Sequence, residues 1–129
     1  MRDAVAAWDE PPPVLRRSAT LAPSPRLAHE ARSVVESGAR DWTLPRSVGM
    51  RAALSAGEMV SGAVESGAVE LRLLVERRPN RLAVTVLARG DRGSALGVLT
   101  EVTLDAFADS WSTEPTRDGR CTSATFVVD

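Results

Sequence analysis

The chain has no Lys, Ile, Gln or Tyr, and only one Asn, one His and one Cys. Each absence closes a class of explanation. The lone Cys121 forms no internal disulfide, which fits a reducing compartment. His29 is the only histidine, and with a single distant cysteine it builds no Cys/His metal cluster. Nothing in the spacing sets it beside a serine as a nucleophile's base. It reads as a partly exposed residue of a helix, and Cys121 as a small strand residue. No apolar run approaches the ~18 residues of a membrane span. The opening "MRDAVAAWDEPPPV" is too short and too acidic for a secretion signal. A cytoplasmic protein without membrane contact is expected. Sixteen Arg stand against seventeen Asp and Glu, for a net charge of −1. Without a basic stripe, nucleic-acid binding is not expected. All the basic residues besides His29 are Arg, a coding bias of GC-rich genes, so their number is not evidence of guanidinium chemistry.

What is present is the pattern of one domain. The 129 residues suffice for a single core. Residues 1–13 end in Pro11-Pro12-Pro13 and read as an extended tail, leaving 14–129 as the domain. Residues 14–23 alternate weakly, as an edge strand does. Ser24-Pro25 supplies a helix start, and Leu27, Ala31, Val34, Val35 and Trp42 give a helix over 25–42. Pro45 starts a second, over 46–65, with Met50, Ala53, Leu54, Gly57, Val60 and Val64 at helical spacing and Gly67 placed to end it.

The period then changes to two. Val69, Leu71, Leu73 and Val75 share a face, with Leu82, Val84 and Val86 beyond a turn at Pro79-Asn80. The hairpin of 69–76 and 81–88 is expected to turn these residues toward the helices. A glycine-bearing loop spans 90–97. Val98, Leu99, Val102, Ala106 and Phe107 then make a third helix running into Trp111. The chain closes on a hairpin with Asp118-Gly119 at its tip. Strand, two helices, hairpin, helix and hairpin imply an α+β, two-layer α/β sandwich, its mixed or antiparallel sheet covered on one face by about three helices. Trp42 and Trp111 fall at helix ends, as caps on the core. Trp8, in the tail, is placed to dock on the domain or on a second subunit.

One stretch resists this reading. "AGEMVSGAVESGA" (56–68) carries three glycines in a strong helix pattern, although each costs a helix interior about 1 kcal/mol relative to alanine.

The order of elements resembles the ATPase domain shared by gyrase, heat-shock chaperones, histidine kinases and MutL. The branch it is most similar to is the stand-alone anti-sigma-factor serine kinases. In that branch the second helix carries Glu-Leu-Val-x-Asn-Ala-Val, and Glu58-Met59-Val60-Ser61-Gly62-Ala63-Val64 stands in its place. The family's Leu-Ala-Asp-x-Trp ending of the third helix is matched by Phe107-Ala108-Asp109-Ser110-Trp111. The likeness spans about residues 15–128 and rests on order and spacing more than on one motif.

The resemblance implies a nucleotide site, and also its erosion. The family's helix asparagine holds the Mg²⁺ that bridges the phosphates; here the position is Gly62, and the one asparagine, Asn80, lies in a turn. The family's adenine-binding Asp-x-Gly falls at Ala88-Arg89-Gly90, unless the register slides to Asp91 and Gly93. The Gly-x-Gly that wraps the phosphates is reduced to "GSALG" (93–97), although loop amides at a helix N-terminus still favour anions. Gly62, Gly90, Asp91, Gly93 and Gly97 would thus line the equivalent of the nucleotide region. Glu58 matches the kinases' general base and is expected as a vestige of it. No metal ligand and no cofactor are expected, with ATP and Mg²⁺ as the alternative. Three functions remain open: a regulatory interaction module with a regulatory protein partner, an active serine kinase or anti-sigma factor, and a pocket recruited for another small molecule or reaction. A homodimer is expected, residues 1–20 contributing contacts.

Overall fold

Two period-two runs form the middle of the sheet. In the computed structural model, which describes residues 14–93 and 96–128, β2 (Glu70–Arg78) and β3 (Arg81–Arg89) pair antiparallel, Leu73 opposite Val86 and Val75 opposite Val84. Their inward side chains Leu71, Leu73, Val75, Leu82, Val84 and Val86 are all buried. Each such side chain removed from water is worth about 1.5–3 kcal/mol. β1 (Leu15–Leu21) joins β2 at one edge, while β5 (Gly119–Val127) pairs with β3 and β4 (Ser110–Pro115) closes the other. The sheet has five strands in the order β1-β2-β3-β5-β4, and every pairing is antiparallel. The tail at 1–13, with Trp8, lies outside the described residues.

The two faces of the sheet differ in kind. One row of the outer face reads Ser18–Leu74–Thr85–Ser123–Ser112 across the strands, with Thr85 Oγ1 and Ser123 Oγ 3.0 Å apart. The inner face carries the apolar set and is covered by α1 (Leu27–Asp41), α2 (Arg46–Glu65) and α3 (Val98–Phe107). Helix α1 buries Leu27, Ala31, Val35 and Ala39, one residue per turn, against the small residues of α2. A Cβ on Gly57 would lie 3.2 Å from Arg32 Cγ, so that glycine lets the two helices approach closely. Helix α2 ends as its sequence directs. Gly67 has φ +103°, its N–H reaches the Val64 carbonyl, and the Ala68 N–H reaches that of Ala63. This pair of bonds is the Schellman arrangement, in which a left-handed residue turns the chain out of the helix.

Several expectations shift. Helix α1 begins at Leu27 rather than 25, because Ser24 Oγ accepts from the Arg26 N–H and holds Pro25-Arg26 in a turn ahead of it. Val69 precedes β2 and is exposed, so it does not face the helices. Met50 and Leu54 of α2 are exposed as well, since α2 is buried through its alanines, Val48, Met59 and Val60. Trp42 is the C-cap of α1, its ring 5.7 Å from the Arg17 guanidinium. Trp111 belongs to β4, not to a helix end.

Helix α3 departs furthest from its sequence pattern. Its buried residues are Thr100 and Leu104, whereas Val98, Leu99 and Val102 are 78, 66 and 57% exposed. The C-terminal end of the helix is fixed from outside it. Arg51 Nη1 donates to the Phe107 carbonyl at 3.1 Å and lies 3.8 Å from Asp109, and the Trp111 indole donates to Asp105 at 2.8 Å. These anchors set the rotation of α3, and that rotation turns its most apolar stripe outward.

Candidate functional site

The inner face of the sheet is apolar except at one corner. Along β5, Phe126 and Ala124 continue the core, but the next inward positions are Thr122 and Arg120. Arg120 pairs across the sheet with Ala88 and Pro115, and Thr122 with Val86 and Thr113. The Thr122 and Thr113 hydroxyl oxygens are 3.0 Å apart. Arg120 Nη1 donates to Thr113 Oγ1 at 3.1 Å and Nη2 to the Gly93 carbonyl at 2.6 Å. The guanidinium is nearly sequestered, with the residue 8% exposed, and its Nε–H has no partner among the described residues.

Above this corner sit the loop after β3, the end of α2 and the start of α3. Asp91 is buried there and accepts the Gly93 N–H on Oδ1 at 2.9 Å, the local turn that aspartates favour. Gly90, one residue earlier, has φ +89°. A space of about 10 Å³ remains between these elements, walled by Met59, Gly62, Ala63, Asp91, Gly97 and Thr122 among others. That is about the room for one water.

Gly62 accounts for why so little space is left. An ideal Cβ on Gly62 would lie 2.3 Å from Thr100 Oγ1. Thr100 is almost completely buried and points from the first turn of α3 into the gap in α2. The three glycines of 56–68 therefore serve three purposes: Gly57 admits α1, Gly62 admits Thr100, and Gly67 turns the chain. Thr100 Oγ1 also donates to Glu58 Oε1 at 3.4 Å, one turn earlier on α2. Partial burial raises the Glu58 pKa above the ordinary glutamate value of 4.5; the Thr100 bond opposes the rise, and Glu65 adds to it.

The residues singled out in sequence thus converge only in part. Gly62, Asp91 and Gly97 wall the small space, and Glu58 touches it through Thr100. Gly93 faces a neighbouring cleft with Arg120. Gly90 lines neither, standing instead against the Gly67 carbonyl and Val69. Both candidate registers reach the space beside Gly62: Ala88, the aspartate position of the first, and Asp91, that of the second, line it, while Arg89 and Gly90 do not. His29 is exposed on α1, Asn80 lies in the β2–β3 turn and Cys121 is a part-buried free thiol in β5. Among the described residues no group of His, Cys, Asp and Glu is gathered as metal ligands. No helix among them is long and apolar enough to cross a membrane. Thr100, Thr113, Arg120 and Thr122 were not legible as site residues from motifs.

No protein-family model matches the chain, and no curated protein does. Among solved structures it is similar to the crystal structure of the RsbU and RsbW domains of Rv1364c from Mycobacterium tuberculosis, with a TM-score of 0.68 and 17% identity. The match covers 92% of this chain and 32% of that one. The likeness is one of fold: the α+β two-layer sandwich implied by the order of elements is the architecture the two share.

Proposed function

We propose that this chain is a regulatory protein-interaction domain built on an anti-sigma-factor-kinase-like fold, with its nucleotide site closed. One observation carries the reading: Thr100 occupies the space that a side chain at Gly62 would need. On the family's pattern this position supplies the ligand for Mg²⁺. Here glycine offers no ligand, the residual space of about 10 Å³ admits no phosphate chain, and Glu58 is engaged by Thr100. A base without a metal and without room for its substrate is a vestige.

The interaction half of the reading rests on α3. Val98, Leu99 and Val102 form an exposed apolar stripe beside Glu101 and Asp105. A contiguous apolar patch with a polar rim is the usual mark of a protein contact. A homodimer remains part of the proposal, with residues 1–20 contributing. Light scattering of the full chain and of a chain lacking 1–13 tests the tail; unchanged mass in both directions removes it from the interface.

The second reading, an ATP-binding kinase, draws on Asp91, which is buried beside Gly62 with Gly93 two residues on, in the spacing of the adenine-binding motif. Thermal unfolding with and without millimolar MgATP separates the two. A ligand stabilises by RT ln(1 + [L]/Kd), so one far below its Kd shifts nothing. Coincident curves are expected. A clear upward shift, abolished by Glu58→Ala or by chelating the metal, establishes the kinase reading instead.

A further inference from the structure

The helical layer carries a groove of its own. A space of about 550 Å³ lies between the last turn of α1 and the first turns of α2. The buried Ala39 and Gly49 form its floor, where an ideal Cβ on the glycine would lie 3.0 Å from that of the alanine. Half-buried Leu44 and Met50, 55% exposed, are its apolar walls, and Leu54 continues the apolar strip one turn along α2. Arg40 and Arg46 stand in the lining with one carboxylate, Glu36. The turn that shapes the groove is a strained one. Thr43 has φ +54°, the one positive φ outside glycine among the described residues, and a β-branched side chain seldom takes it. Its N–H donates to the Arg40 carbonyl at 3.1 Å and the Leu44 N–H to that of Ala39 at 2.9 Å, which brings Leu44 back over Ala39.

The chain enters the fold at this same end of α1. Arg17 of β1 donates to Ser37 Oγ and Asp41, and its guanidinium lies 5.7 Å from the Trp42 ring. Residues 14–16 therefore stand beside the last turn of α1, on the side opposite Glu36, Ala39 and Arg40. Half the circumference of a helix with its side chains is about 17 Å. From Trp8 to Val14 the chain runs through Pro11-Pro12-Pro13, and six residues so extended span about 19 Å. Trp8 thus reaches around the end of α1 to the groove, with little length to spare. The charges match as well. Residues 1–13 carry Asp3, Asp9 and Glu10 against one Arg2, with Trp8 as their only aromatic, whereas the groove sets two guanidinium groups against one carboxylate.

We propose that the groove between α1 and α2 is the docking site of this chain's own tail, with the Trp8 indole against Leu44 and Met50 and with Asp9 and Glu10 beside Arg40 and Arg46. A tryptophan brings a large apolar surface for little side-chain entropy, which makes it the natural anchor of so short a segment. The three prolines hold the connection extended and cut the entropy lost when the tail is fixed. The carboxylates add orientation more than affinity, because pairs at a groove's rim are exposed. The contact lies within one chain, so it stands or falls separately from the homodimer and from whether nucleotide enters beside Gly62.

The test is made on the full chain by nuclear magnetic resonance, the Trp8 indole signal being assigned by its loss in Trp8→Ala. Through-space contacts between the Trp8 ring protons and the methyls of Leu44 and Met50 are expected. In labelled and unlabelled chains refolded together, an isotope-filtered spectrum sees only contacts between copies, and this pair should be absent from it. Met50→Asp places a charge in the groove at an exposed position, so the β2 and β3 amide signals should stay where they are. In that variant the Trp8 contacts should vanish, and exchange of its indole N–H with water should quicken about tenfold or more. Arg40→Gln with Arg46→Gln should quicken it about two- to fivefold, and Glu36→Gln should slow it. No Trp8 contact with Leu44 or Met50 overturns the assignment. So does a contact that passes the filter, which makes a second copy the occupant, or Trp8 exchange that Met50→Asp leaves unchanged.

Discussion

Replacing Gly62 by alanine is the sharpest test of how α3 sits on α2. In an unobstructed helix interior the change is favourable by about 1 kcal/mol, since alanine loses less backbone entropy on folding than glycine. Here the new methyl group would stand 2.3 Å from Thr100 Oγ1, closer than non-bonded atoms tolerate. Either Thr100 rotates and abandons Glu58, or α3 lifts from α2. Overpacking of this kind costs about 1–3 kcal/mol, so the net effect is destabilisation of about 0–2 kcal/mol, opposite in sign to the helix propensity.

The sign can be isolated with a double-mutant cycle. Thr100→Ala removes both Oγ1 and Cγ2, leaving the Cβ at 3.6 Å as the nearest atom. In that background Gly62→Ala regains its helix advantage and becomes stabilising, so the coupling between the sites is about 1–3 kcal/mol. Thr100→Val keeps the bulk and loses only the hydroxyl; it should retain most of the coupling. Urea denaturation followed by tryptophan fluorescence reads the midpoints, which move by about 0.3–1 M per kcal/mol for a domain of this size. Gly62→Ala stabilising on its own, with coupling near zero, would refute the seating of Thr100 on Gly62. The proposed closure of the nucleotide site would go with it.

Other outcomes follow from the same packing. The Glu58 pKa is raised by burial, so the carboxyl favours the fold when protonated: its contribution is full below the ordinary 4.5 and is lost as pH rises through the folded value. Glu58→Gln should therefore raise the Tm at pH 7, with the gain shrinking as pH falls through the raised folded value and gone below 4.5 in scans of Tm against pH. Gly67→Ala must hold an alanine at φ +103° and should lose about 1 kcal/mol or more in urea melts, Gly67→Asn less. Leu104→Ala, at the fully buried contact of α3, should lose about 2–5 kcal/mol. Arg51→Ala removes the bond to the Phe107 carbonyl and should speed amide exchange in α3 before the rest of the domain.

The fold was legible because its strongest signals are local. The switch to period two at Leu71, the turn at Pro79-Asn80 and Gly67 at the end of α2 each carry their meaning within a few residues. The inward facing of Arg120 and Thr122 was legible too, by the alternation that buries Ala124 and Phe126. Its bearing on a site is not, because the family's motifs fall on glycines and aspartates elsewhere in the chain. That Ala88 and Asp91 both face the space beside Gly62 was not legible. That depends on where β3 ends, and the extra residue is absorbed at Gly90 with φ +89°.

Helix α3 marks the deeper limit. Periodicity assigns its core to Val98, Leu99, Val102, Ala106 and Phe107, on the premise that the most apolar stripe faces inward. That premise holds for a helix free to choose its rotation. This one is held by Arg51 at its C-terminal carbonyl and by a hydroxyl fitted into a glycine on another helix. Once Thr100 meets Gly62, Leu104 one turn on is carried into the core and Val98, Leu99 and Val102 are carried out. The absence of a side chain at Gly62 and the outward turn of the apolar stripe are therefore one event in packing. A side chain placed at 62 would have to push Thr100 out, and with it rotate the exposed stripe. The proposed closure of the site and the proposed interaction surface stand on the same contact, so Gly62→Ala should perturb binding of any partner that uses α3 even though residue 62 never touches it.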